Sequence, residues 1–180
     1  MKKYLCKLFL ILLFLSTFNL SWAQKSVACI GDSVTKGYGL KDSTKSYPYQ
    51  LQQLLGDDYL VGNYGHSGAT LLQQGHQPYQ KTQAYKEALA FAPDILIIAL
   101  GLNDTDPRNW PNYKNNFFAD YTQLIQAFKH VNPAVTVYIC TMTPIFSGHT
   151  RFLSGTREWF DQIQQLIPVI AKANGATVID

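Results

Sequence analysis

The sequence predicts an α/β domain in which a parallel sheet of five short strands lies between layers of helices. Three observations predict it. Five apolar or β-branched runs alternate with stretches of helical periodicity. The run from Ile95 to Leu100 is apolar throughout, as a central parallel strand covered on both faces requires. Polar, glycine-bearing turns follow the runs, and right-handed crossovers gather such turns on one edge of a sheet, where ligands bind.

The elements follow in order. A first strand over Ser26 to Ile30 leads straight into Gly31-Asp32-Ser33. Ser46 then caps a helix with Pro48 in its first turn, and Leu51, Leu54 and Leu55 form its apolar stripe up to Gly56. A second strand, Tyr59 to Val61, enters the loop Gly62 to Thr70. Thr82 opens a helix carrying Tyr85, Ala88 and Leu89, which stops before Pro93. The third strand ends in Gly101-Leu102-Asn103-Asp104. Phe117, Tyr121, Leu124, Ile125 and Phe128 recur at helical spacing until Asn132-Pro133. A fourth strand, Val135 to Cys140, leads into Thr141 to Gly155. The last helix runs from about Thr156 to Ala173 with a kink expected near Pro168, and Ala176 to Ile179 begins a fifth strand.

Length and charge narrow the function classes. The 180 residues suit one domain, and 47% apolar against 15% charged residues supports a packed core. The net charge of +3 comes from 15 basic and 12 acidic residues, and Lys2, Lys3 and Lys7 precede an apolar run from Leu8 to Leu15. Setting those three aside leaves 12 of each sign, so no general attraction to nucleic-acid phosphate remains. Met1 to Ala23 reads as a secretory signal peptide, with small residues at Ser21 and Ala23. Its apolar run is shorter than a membrane-spanning helix needs, so the expected product is exported, periplasmic or extracellular, and not held in a membrane. The remaining 24–180 form the expected domain. Cys29 and Cys140 lie in predicted strands and read as small buried residues, and no cluster has zinc-site spacing, so no metal is expected.

Each turn alone is a weak signal, because turn chemistry explains it equally well. Together they say more, because acyl transfer needs this set. A serine hydroxyl at Ser33 needs a base to take its proton. The tetrahedral intermediate then needs preorganised donors about 2.7–3.1 Å from its oxygen. Backbone N–H groups at Ser33 and Gly68 and the side-chain amide of Asn103 would supply three.

At these residues the sequence resembles the SGNH, or GDSL, hydrolases. Gly31-Asp32-Ser33 resembles the first block, with Ser33 as nucleophile. Asn63-Tyr64-Gly65-His66-Ser67-Gly68 resembles the second, with Gly68 in the oxyanion hole. Gly101-Leu102-Asn103-Asp104 resembles the third, with Asn103 in the oxyanion hole and Asp32 and Asp104 in support. The resemblance implies a three-layer, flavodoxin-like fold and ester hydrolysis through an acyl-serine intermediate without a cofactor. It also implies an Asp-x-x-His block after the fifth strand, supplying the general base and its carboxylate. No Asp or Glu here has a His three positions later, and the sequence ends at Asp180. The expectation is a domain whose C-terminal part, with the base, lies beyond residue 180. His149 is the best substitute within the sequence, and His66 and His149 are read as substrate contacts.

Two loops carry the substrate expectation. In Asp106 to Tyr113, Trp110 and Tyr113 offer faces for a sugar ring and Arg108 a fork for a carboxylate, or the aromatics simply cover the sheet edge. Phe146, Arg151 and Phe152 repeat that composition, and neither loop has the long apolar lid of a fatty-acyl site. Gly101 to Arg108 resembles modules of sialate O-acetylesterase-like proteins, so the expected substrate is a glycan ester and the expected activity carbohydrate O-acetyl hydrolysis. A lipase or lysophospholipase and a non-catalytic glycan-binding remnant are the alternatives. The oligomeric state is not legible.

Overall fold

The structure, a computed structural model, describes residues 24–145 and 156–180. The expected signal segment, and Phe146, His149, Arg151 and Phe152, lie outside the described residues. The strands are β1 (Lys25–Gly31), β2 (Tyr59–Gly65), β3 (Ile95–Ala99), β4 (Thr136–Cys140) and β5 (Thr177–Ile179). They form one sheet in the order β2-β1-β3-β4-β5, with every neighbouring pair parallel. This is the flavodoxin-like strand order, and the chain reverses its winding direction between β1 and β3. The expected fold class therefore stands.

The helices are α1 (Ser33–Lys36), α2 (Tyr47–Leu55), α3 (Gln83–Phe91), α4 (Trp110–Tyr113), α5 (Phe117–Val131) and α6 (Thr156–Asn174). Alternate residues of each strand point to opposite faces, and the two faces are covered unequally. Ala28, Ile30, Leu96, Ile98, Val137 and Ile139 face the main core, where α3, α5 and α6 contribute Ala88, Phe117, Tyr121, Leu124, Ile125, Phe128, Ile163, Ile167 and Ile170. Val27, Cys29 and Ile97 face a smaller cluster completed by Tyr47, Leu51 and Leu55 of α2. The α5 stripe is buried at every expected position, each side chain worth about 1.5–3 kcal/mol on burial. Cys29 is a free, buried thiol, and burial pushes its pKa up to about 12.

Two local expectations are corrected. Leu54 is not in the α2 stripe but 85% exposed, because the sheet is met by the row Tyr47, Leu51 and Leu55 at spacings of four. The second strand runs four residues further than expected, to Gly65, because its later residues pair with Gly62-aligned Ala28 through Gly31 on β1. Pro168 lies on the exposed side of α6, which continues past it to Asn174. None of the described helices is long and apolar enough to cross a membrane.

Candidate active site

The carboxyl ends of β1, β2 and β3 lie side by side, with Gly31 opposite both Gly65 and Ala99. Glycine is required at 31 because a Cβ there would overlap Thr35 Oγ1 of α1. The chain leaves β1 through Asp32, whose buried carboxylate caps α1 by accepting from Val34 N at 2.8 Å. Ser33 is thereby the first residue of a helix pointing away from the sheet edge. Among the described residues neither its hydroxyl nor its N–H has a protein hydrogen-bond partner. That leaves the hydroxyl open to a base and the N–H open to an anion.

The loop after β2 is tied down on both sides. His66 N donates to Gly31 O at 2.9 Å, and Asn63 Nδ2 donates to Thr35 O at 3.0 Å, joining the loop to β1 and α1. Gly68 has φ +80, a conformation that favours glycine, and a Cβ there would lie 2.7 Å from Gln77 Oε1. The Gln77 amide lies 2.8 Å from His66 Nε2. An amide NH2 only donates, so His66 Nε2 is the acceptor in this contact. His66 is thus engaged by its own loop, and among the described residues no histidine hydrogen-bonds to Ser33.

Asn103 and Asp104 come from the turn after β3. Asn103 is buried, with Nδ2 3.0 Å from Ala69 O and 3.4 Å from Asp32 Oδ2, between the residue before Ser33 and the Gly68 loop. Asp104 is fully buried and accepts from Leu71 N at 2.9 Å and Leu72 N at 2.8 Å, one on each oxygen. It clamps the loop that carries Gly68 onto the turn that carries Asn103. Burial pushes the Asp104 carboxyl up to about 7, against the opposing pull of the Leu72 and Leu71 N–H groups.

The expected substrate loop behaves differently. Trp110 is a core residue, 2% exposed, stacked edge-on against Phe117 and donating from Nε1 to Gln162 Oε1 at 2.7 Å. It has no face for a sugar, which corrects that reading in favour of aromatics that cover the sheet edge. Its apolar area is worth more in the core than in water. Arg108 is exposed, and its fork already holds Asp106 through Nε at 2.8 Å and Nη2 at 2.9 Å. That pairing holds Asp106 well down, to about 2. A residue without a sequence signal, Asn109, is fully buried and donates to Asn103 O at 2.8 Å. Its partners lie on other loops, so no local pattern marks it.

The family comparison meets this geometry directly. Residues 29–180 match the GDSL-like Lipase/Acylhydrolase family. The chain belongs to that family. Ser33, Gly68 and Asn103 all lie within the matched residues. The chain is 48% identical over 172 residues to an acetylxylan esterase of Xylanibacter ruminicola, covering 86% of this chain and 35% of that protein. It therefore spans about a third of the length of that curated relative. Among solved structures of similar fold are a catalytic mutant of Axe2, an acetylxylan esterase from Geobacillus stearothermophilus, and a family two carbohydrate esterase from Clostridium thermocellum bound to cellohexaose. The first has a TM-score of 0.64 at 20% identity, covering 88% of this chain and 76% of that one. The second has 0.62 at 18% identity, covering 88% and 55%. These likenesses carry the fold of the GDSL-like domain.

Proposed function

We propose that this GDSL-like domain is the catalytic part of an exported carbohydrate O-acetylesterase. The observation that carries the reading is the convergence of Ser33, Gly68 and Asn103 at the switch point of the sheet, in a chain related to an acetylxylan esterase. Ser33 Oγ attacks the ester carbonyl, and its proton passes to a histidine base. The new oxyanion is held by the Ser33 and Gly68 N–H groups and by Asn103 Nδ2. One proton of that amide is held firmly by Ala69 O. The same nitrogen makes a long contact of 3.4 Å to Asp32 Oδ2, and an oxyanion would compete with that contact. The alcohol leaves with a proton from the base, and water releases acetate from Ser33 by the reverse steps.

The base and its carboxylate are assigned to the chain beyond Asp180. Thr141 N donates to Ile179 O at 2.8 Å, so β5 brings its carboxyl end to the same edge. A small cavity lined by Asp32, Val34, Leu102, Thr141 and Met142 among others lies beside Ser33, and the acyl group is assigned to it.

Replacing Ser33 by Ala in the complete protein is the test. Acetate release from acetylated xylan should fall by at least about 10³-fold while the thermal midpoint stays in place. Unchanged release would remove Ser33 from the mechanism. Preference of the parent protein for long-chain over acetyl esters would favour a lipase, and glycan binding without either activity would mark a binding module.

A further inference from the structure

Asn103 can act as an oxyanion donor only if its amide sits at a fixed distance from Gly68 N–H, although the two residues belong to turns 35 positions apart. Asn109 joins those turns. Its Nδ2 donates to Asn103 O at 2.8 Å and lies 2.9 Å from His76 Nδ1, while its Oδ1 accepts from His76 N at 2.9 Å. The amide NH2 can only donate, so His76 Nδ1 accepts from it, and the 3.3 Å approach of that nitrogen to Asn109 Oδ1 is a contact without a hydrogen bond. Asn109 is 0% exposed, so no water competes for these bonds. The short segment before it is itself braced, with Asn109 N donating to Asp106 O at 2.8 Å and the Asp106 carboxylate held by Arg108. His76 leads on to Thr70 N, which donates to Gln77 O at 2.8 Å, and so to the loop that carries Gly68.

We infer that Asn109 is a positioning residue of the oxyanion hole: by bonding Asn103 O and His76 at once, it sets where the Asn103 amide stands relative to Gly68. The inference rests on the esterase reading above. Asn109 touches no substrate. It acts through Asn103, whose backbone it holds while Ala69 O holds the side chain. Catalysis by preorganised donors depends on such placement, because a displacement near 1 Å costs about 10²-fold.

The test compares Asn109→Ala, Asn109→Asp and His76→Ala with the parent in the complete enzyme, on an acetylated sugar and on a boronic acid that forms a tetrahedral adduct with Ser33. Asn109→Ala should lower kcat about 10- to 100-fold with KM within twofold, and weaken the boronic acid in proportion to kcat. Asn109→Asp, which sets an oxygen against Asn103 O, should lose at least as much. His76→Ala keeps the backbone N–H on Asn109 Oδ1 and should lose only a few-fold. Parent-like kcat in a folded Asn109→Ala or Asn109→Asp overturns the inference, as does a loss confined to KM. If Asn109→Ala does not fold, Asn109→Asp and His76→Ala decide by the same criteria. Ser33→Ala runs alongside. Activity surviving in that variant sinks the esterase reading itself, whereas its loss with parent-like Asn109 variants sinks only the positioning role.

Discussion

The crossover after β1 and the crossover after β3 supply neighbouring parts of one edge, yet they are built in opposite ways. The first, from Ser33 to Leu55, shows its surface: Val34, Tyr38, Leu40, Tyr49 and Leu54 are all exposed, and Ser33 has no hydroxyl partner among the described residues. The second, from Leu102 to Val131, is sunk into the protein: Asn103, Asp104, Thr105, Asn109, Trp110 and Phe117 are all buried, with their polar groups bonded inward. The difference fits the two tasks proposed for these residues. A nucleophile must stay open to a base that takes its proton, whereas an oxyanion donor works only if it is fixed before the charge develops.

Substitutions on the buried crossover should therefore be costly and those on the exposed one mild. Trp110→Ala should cost most, about 3–5 kcal/mol of unfolding free energy, because it opens a cavity beside Phe117 and strands Gln162 Oε1. A denaturant titration checks this, and KM for the acetylated substrate should stay unchanged in the folded fraction, since Trp110 offers the substrate no surface. Asn103→Ala should lower kcat about 10²- to 10³-fold, equivalent to about 2.7–4 kcal/mol, read from steady-state rates on the complete enzyme.

Asp104→Asn comes next, at about 1–3 kcal/mol of stability, because the new NH2 faces one of the two buried N–H donors of Leu71 and Leu72. The same variant has a pH signature. Asp104 keeps its proton up to about 7 in the fold and loses it near the ordinary carboxylate value of 3.8 when unfolded. Between those values the native state binds more protons, so this group makes stability fall as pH rises through that window. Asp104→Asn should flatten that slope in melting curves recorded from pH 4 to 7; a slope equal to the parent's would show that Asp104 does not supply it. Leu54→Ser on the exposed crossover should change stability by less than about 0.5 kcal/mol. A large loss there would mean that the outer face of α2 is covered by something.

The strands, the α5 stripe and the three turns of the edge were legible because each is a local pattern. Phe117, Tyr121, Leu124, Ile125 and Phe128 announce a buried helix by spacing alone, and all five are buried. Trp110 and Asn109 were not legible in the same way. They share one short loop with Arg108, whose composition gives Trp110 and Arg108 the look of a substrate surface and gives Asn109 no signal. Two of them turn inward because Gln162, 52 residues from Trp110, and His76, 33 residues from Asn109, are waiting there.

By itself the sequence determined the alternation of strands and helices, the strand-to-turn positions of Ser33, Gly68 and Asn103, and the balanced charge of the domain. Those properties depend on neighbours within about a turn of helix or a few strand residues. Tertiary structure decided that the Ser33 hydroxyl has no partner among the described residues, that His66 is occupied by Gln77, that Asp104 clamps the Gly68 loop and that Asn109 braces Asn103. The Asp104 clamp is a pair of hydrogen bonds between residues from different turns. Such a bond forms only once the parallel sheet has brought the turns together, and it outlasts competition from water only where burial excludes it.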